Sequence, residues 1–295
     1  MKIQRAKRTQ EAVALIRKHH GLVYYDFEIH PITRRGSEWM RSLLGEDFFN
    51  SAVQVDSHEA TDEDMNYIGQ LDDLKELTLT ESKITNRGLT PLKRLPHLQN
   101  LSLWFTRVDD SGLENLEEME TLQVLSLRRT HVTDAGLLHL KGLKNLRELN
   151  LGGNDIKDAG MENLAGLPRL ESLYLDYTNV SDGGLEKIKG LTQLKVLDLR
   201  NAEVTDAGLI HLEGLANLEE LILGANKITD VGLVHLKRLT NLQGLELDAN
   251  AVSDAGMGQL EGLIHLRKLY VHNTPVTNNG VERIQKALPN CNISH

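Results

Sequence analysis

Twelve histidines in a chain of 295 residues raise a metal site as the first chemical possibility. His211 and His235 lie 24 residues apart, and His139 has the same phase three steps earlier. Imidazoles on neighbouring rows could ligate zinc. The same phase also holds Pro91, Asn115, Asn163, Lys187, Gln259 and Arg283, the pattern of a polar outer face, so surface histidines are the plainer reading. A longer column is acidic: Asp62, Asp110, Asp134, Asp158, Asp182, Asp206, Asp230 and Asp254, completed by Asn86 and Asn278. Carboxylates in a row could hold calcium, which takes several oxygen ligands. Each also stands at the expected start of a helix, where it meets orphan amides and the positive end of the dipole. Capping accounts for every member, and no metal or other cofactor is expected.

Nucleophilic chemistry has little to work with. Cys291 is the one cysteine, which excludes an internal disulfide and a cysteine-based zinc site, and no motif places a base beside it. The sequence lacks a phosphate-binding Gly-x-x-x-x-Gly-Lys, a His-Glu-x-x-His and a Gly-x-Ser-x-Gly elbow. An enzyme is not expected. With 33 Lys+Arg against 42 Asp+Glu, a net charge of -9 argues against nucleic acid as partner. No run of 18 apolar residues could insert in a membrane, and residues 1–20 lack a signal-peptide core. The expectation is a cytoplasmic monomer, or alternatively the soluble part of a membrane-anchored protein.

The elements that must position these residues follow from a repeat of 24. Leu74, Leu77, Leu79, Ile84, Leu89, Leu92 and Leu95 recur five periods later as Leu194, Leu197, Leu199, Val204, Leu209, Leu212 and Leu215. Nine rows cover 74–288 without insertion, and Ala287 alone departs from Leu, Ile, Val or Met at the seven apolar slots. A degenerate row precedes them, with Val53, Val55, Ala60, Thr61, Asp62, Met65, Ile68 and Leu71. In each row Leu-x-Leu has strand alternation, and the later apolar residues recur every three, as on the buried stripe of a short helix. Thr or Ser before the helix can cap it. Many rows end in Leu-x-Gly-Leu, as in Leu140 to Leu143, which fits a left-handed glycine stop. Each row is therefore a strand, a corner, a helix of about two turns and a return. Rows must stack to bury their leucines. Strands about 4.8 Å apart backed by helices about 8–10 Å apart force the stack to curve, strands innermost.

The pattern Leu-x-x-Leu-x-Leu-x-x-Thr/Asn-x-Val/Ile-Thr-Asp-x-Gly-Leu resembles the leucine-rich repeat, over roughly three quarters of the chain. It is most similar to the helix-backed bacterial form, related in shape to ribonuclease-inhibitor and F-box arrays. The resemblance implies a curved α/β solenoid, with a parallel sheet on its concave face and short helices on its convex face, that binds other proteins from the inner wall. At the turn position where relatives often carry Cys, this chain has Ser82, Thr106, Thr130, Asn154, Thr178, Ala202, Asn226, Asn250 and Thr274. Those side chains can bond the turn backbone, and Ala202 leaves one gap.

The ends are expected to be caps. Residues 1–50 form an N-terminal cap: a helix over 9–20 with Ala12, Val13 and Ile16 inward and Gly21 as its stop, a strand over 22–29 with Val23, Tyr25, Phe27 and Ile29 on one face, and a second helix over 37–45 presenting Met40, Leu43 and Leu44. Repeats occupy 51–288, and 289–295 closes the far end with Ile293 one period after Leu269. The first 50 residues are net basic and the rest net acidic; that would suit a juxtamembrane stub, though solvated helix charge is the simpler account.

Four positions per row project from the inner wall, and every aromatic residue after residue 72 falls on them: Trp104, Phe105, Tyr174, Tyr177 and Tyr270. Trp104 and Phe105 with Arg128 and Arg129 make one shoulder. Gly152 and Gly153 make a notch, beyond which Tyr174, Asp176, Tyr177, Asp198 and Arg200 rise again, and Gly224 with Ala225 makes a second low point. Large rings beside arginine are typical anchors of protein interfaces. These residues are the candidate site for a protein or peptide partner, with a structural or spacer array, or a carbohydrate stacked on the rings, as the alternatives.

Overall fold

The computed structural model describes residues 2–29 and 51–295. They fall into two compact units, residues 1–131 and 132–295. In the first, β1 (Leu22–Tyr25) pairs antiparallel with β2 (Ala52–Asp56), and β3 (Glu76–Thr78), β4 (Asn100–Ser102) and β5 (Val124–Ser126) follow in parallel. The second unit holds β6 (Glu148–Asn150), β7 (Ser172–Tyr174), β8 (Val196–Asp198), β9 (Glu220–Ile222), β10 (Gly244–Glu246), β11 (Lys268–Tyr270) and β12 (Asn292–Ser294), all parallel and in chain order. Partners in its ladder are one repeat apart, Glu148 on Ser172 and Leu269 on Ile293.

Every apolar slot of the first eight full rows is buried, from Leu74 to Leu263. The last row is looser. Val276 and Val281 are half-buried and Ala287 is exposed, while Leu288 turns inward in its place.

The N-terminal elements differ from the sequence reading in three ways. The first helix runs Lys2–Lys18, burying Ala12, Val13 and Ile16 as expected. Its left-handed stop is His20 (φ 61°) rather than Gly21; Gly21 is needed because a Cβ there would meet Ile16 Cγ2 at 2.6 Å. The strand expected over 22–29 ends at Tyr25, and Asp26–Ile29 is a helical turn. The Glu28 carboxylate accepts the Tyr25 N–H at 2.7 Å and Asp26 Oδ1 accepts that of Ser51, so the acids close a turn that alternation alone would extend. The second helix, expected over 37–45, lies outside the described residues.

The helical segments mix 3₁₀ and α-helix: 3₁₀ at Asn86–Arg94, Asp110–Asn115 and Gly232–Arg238, and α-helix at Asp158–Leu164, Asp182–Ile188 and the longer Asn278–Ala287. A spacing of three, as in Leu89, Leu92 and Leu95, matches three residues per turn better than 3.6. Apart from Gly153, no described glycine has a positive φ, so the Leu-x-Gly-Leu glycines are not left-handed stops. The chain leaves each helix through further short-range bonds, Leu143 N–H to Leu140 O and Leu146 N–H to Leu143 O.

The left-handed corner lies at the other end of the row, after the strand. Glu81, Phe105, Arg129, Gly153, Tyr177, Asn201, Ala225, Ala249 and Asn273, one per row, have φ between 49° and 70°. That conformation turns N–H groups onto the next row: Phe105 onto Arg128 O at 2.9 Å, Tyr177 onto Arg200 O at 2.8 Å, Ala225 onto Asp248 O at 2.7 Å. No member is β-branched, the class least tolerant of this region.

The aspartate column caps the next row rather than its own helix. Asp182 accepts the Thr205 N–H at 2.8 Å and its hydroxyl at 2.6 Å, while Thr205 Oγ1 accepts the Ala207 N–H of its own helix. Asp62, Asp158, Asp206, Asp230 and Asp254 bond Thr85, Ser181, Thr229, Ser253 and Thr277 in the same way. Where Asn86 replaces Asp, its Oδ1 still accepts the Asp109 N–H at 3.0 Å, and its amide now donates to the Asp109 carboxylate at 2.7 Å. The turn column also bonds as expected, Thr106 to Leu103 O and Thr178 to Leu175 O, although the Ser82 hydroxyl is buried without a partner. The gap at Ala202 is closed from the next row, because Asn226 Nδ2 reaches Leu199 O at 2.8 Å.

Candidate functional site

In the N-terminal unit, Trp104 and Phe105 follow β4 and are 37% and 56% exposed. Arg128 is half-buried and Arg129 exposed one row on, joined to them by the Phe105 N–H bond to Arg128 O. Phe105 and Arg129 occupy the left-handed corner, which directs both side chains away from the sheet interior.

In the C-terminal unit the sequence reading needs correction at two points. Asp176 is 5% exposed and does not rise from the face. In its column, after the last strand leucine, the small Thr80, Gly152 and Gly224 are buried too, while the longer Trp104 and His272 reach out to water. The low point at Gly224 is filled. Arg200 reaches across two rows to Glu246, Nη2 to Oε2 at 2.5 Å, and a Cβ on Gly224 would lie 2.6 Å from Glu246 Oε1. Glycine here makes room for an ion pair. The clue in the sequence is an Arg and a Glu two rows apart with Gly between them.

Around that bridge the electrostatics are acidic. Asp198 Oδ1 accepts the Arg200 N–H at 2.9 Å, yet its carboxyl is pushed above the usual range by burial and by the charges of Asp176 and Glu246. Tyr174, half-buried on β7, has its phenol raised by burial and then by Glu148, Glu220 and Asp198. Burial works against the Arg200 charge, but Glu246 and Asp198 outweigh it and hold the guanidinium firmly protonated. Tyr177, at the left-handed corner, is 53% exposed. Tyr270, 36% exposed on β11, stacks on His272 at 6.4 Å, and Asp248 accepts the His272 N–H. Glu148, Glu220 and Glu246 join the field around the rings, and their signal in the sequence is an acid at an inward strand position.

The remaining chemical candidates are occupied or dispersed. His139, His211 and His235 are half-buried, and His235 pairs with Glu213 at 2.7 Å instead of lying open. Cys291 is buried, which raises its thiol. Among the described residues no three His, Cys, Asp or Glu side chains gather as a metal set, and no helix is long and apolar enough to cross a membrane.

Comparison with known proteins agrees with this geometry. Leucine-rich-repeat family models match residues 120–180 and 216–276, and a second such model matches 190–212. No curated protein matches the sequence. An internalin (inlF) structure from Listeria monocytogenes is 24% identical over 77% of this chain and 69% of its own, with a TM-score of 0.59. Internalin C2 (inlC2) from the same organism is 28% identical over 70% and 83%, with a TM-score of 0.58. A PEPR1–AtPEP1 structure shares the fold at 18% identity and a TM-score of 0.52, over 82% of this chain and 34% of its own. Matched repeats, in-register parallel strands and leucine-filled interiors together make the chain an α/β solenoid of leucine-rich repeats.

Proposed function

We propose that the chain is a non-enzymatic module, of bacterial type like the internalins it is similar to, that binds a protein or peptide through its strand face. The observation that carries this reading is the choice of residue at the left-handed corner. The corner itself is a backbone requirement, and Gly153 or Asn201 meets it with little strain. Phe105 and Tyr177 stand there with more than half their surface in water. A bulky L-residue in this conformation costs about 1–2 kcal/mol, and burial of the ring does not offset it. Rings held outward in this way serve as anchors for a partner.

Membership of the helix-backed subtype, a cap formed by residues 1–50 and a cytoplasmic monomer belong to the same proposal. β1 along the edge of β2 supports the cap. Crosslinking capture from the native host tests the binding reading. Trp104→Ala and Tyr177→Ala, each alone, are expected to weaken capture about thirtyfold or more. Lys187→Ala, on the helical face, captures as the parent does. A partner kept by both ring variants but lost with Lys187→Ala, or on deleting residues 1–50, would move the site to the back or to the cap.

A further inference from the structure

On the strand face of the C-terminal unit, Glu148, Asp198, Glu220, Glu246 and Asp248 stand against two cations, Arg200 and Lys268. The unit answers only part of this set from within, with Asp248 facing His272. Arg200 is committed to Glu246, and Glu148, Asp198 and Glu220 make no ion pair among the described residues. Burial first, and then the neighbouring carboxylates, raise the Tyr174 and Asp198 groups, so a cation arriving there meets groups already crowded by negative charge. Two rings frame this field, Tyr177 and Tyr270.

The geometry points to one occupant for this sheet face: a lysine- and arginine-rich segment of another protein. The inference rests on the strand-face reading above and names its partner class. Ammonium and guanidinium groups would find carboxylate acceptors at Glu148, Asp198 and Glu220 and ring faces at Tyr177 and Tyr270. An acidic peptide, a nucleic acid or an anionic membrane meets repulsion at the same surface. A bare divalent ion is not favoured, because the acids are spread along the rows and no three converge among the described residues. Tyr174 to Tyr270 spans four strand steps, about 19 Å, which about six extended residues would cross.

Fluorescence anisotropy with two labelled probes tests this, a twelve-residue Lys/Arg-rich peptide and its Glu-substituted counterpart. The basic probe is expected to bind, and to weaken more than about tenfold between about 0.05 and 0.5 M salt. The acidic probe is expected not to bind. Asp198→Asn with Glu220→Gln should weaken the basic probe about tenfold, whereas Glu162→Gln with Glu282→Gln, the same charge change on the exposed helical side, should alter it less than about twofold. Both pairs of substitutions keep side-chain size. Equal losses from the two pairs, equal binding of the two probes, or no binding of the basic probe overturns the inference. If the charge substitutions leave native-partner capture intact while Tyr177→Ala abolishes it, the partner class is wrong and the strand-face reading survives. If Tyr177→Ala and Trp104→Ala leave it intact as well, both fail.

Discussion

The C-terminal unit uses acidic residues in two opposite ways, on two faces of the same rows. Along the helix starts, Asp182, Asp206, Asp230 and Asp254 each accept two bonds from the next row, and a glycine in that row makes room for the carboxylate. Along the strands, Glu148, Asp198 and Glu220 make no ion pair among the described residues, and Arg200, beside Asp198, is committed to Glu246. A carboxylate with donors aimed at it is a fastener. One held among like charges raises the energy of the free protein and becomes useful when something positive arrives. The pH dependence carried by Asp254 and by Asp198 should therefore differ in sign, and removal of the two sets should differ in cost.

The largest effect is expected at the fasteners. A Cβ on Gly208 would overlap Asp182 Oδ1, so Gly208→Ala should cost about 1–3 kcal/mol in urea melts. Asp182→Ala leaves the Thr205 N–H and hydroxyl without their acceptor and should cost a similar ~1–3 kcal/mol. The double variant should cost less than the sum, by about 1 kcal/mol or more, because deleting the carboxylate opens the space the new methyl needs. Strict additivity would mean that the glycine answers to the backbone alone. Glu220→Ala, on the other face, should stay within about 0.5 kcal/mol.

A smaller contrast should appear in the pH dependence of the melting temperature. Thr277 holds the Asp254 carboxyl below its ordinary range through its backbone N–H and its hydroxyl. The stability this adds is complete above the unfolded-chain value of about 3.9 and is lost as pH falls through the lower folded value. Asp198 is raised, so its contribution is complete at low pH and is lost as pH rises through the folded value. Asp254→Asn should therefore lower the melting temperature at neutral pH, and Asp198→Asn should raise it. Both differences should shrink as pH drops below about 4. Changes of the same sign at neutral pH would erase the distinction between the two sets.

The repeat and its core were legible because period and apolarity are written into the chain: every slot from Leu74 to Leu263 is buried. What the period could not carry is direction. Asp182 beside Thr205 looks the same in sequence whether the acid caps its own helix or the next, since both uses need an acid at that phase. The left-handed corner stayed hidden because Phe105, Arg129 and Ala225 fill it where a glycine would have announced it. On the strand face the exposed rings were legible from their column, but the burial of Asp176 and the bridge over Gly224 depend on neighbours one and two rows away.

The smallest expected effect is also the cleanest separation of fold from function. Tyr177→Gly removes a bulky side chain from a φ of 55°, relieving about 1–2 kcal/mol of steric cost. The added backbone freedom of glycine in the unfolded chain takes back about 0.5–1 kcal/mol. The ring is 53% exposed, so little packing is lost, and the two backbone terms nearly cancel. The melting temperature should stay within a few degrees of the parent, since about 1 kcal/mol shifts a domain of this size by about 2–4 °C. Binding of the basic probe should nevertheless fall about tenfold or more. A loss of stability of about 2 kcal/mol would instead make Tyr177 a packing residue, and would leave the acidic face without its ring.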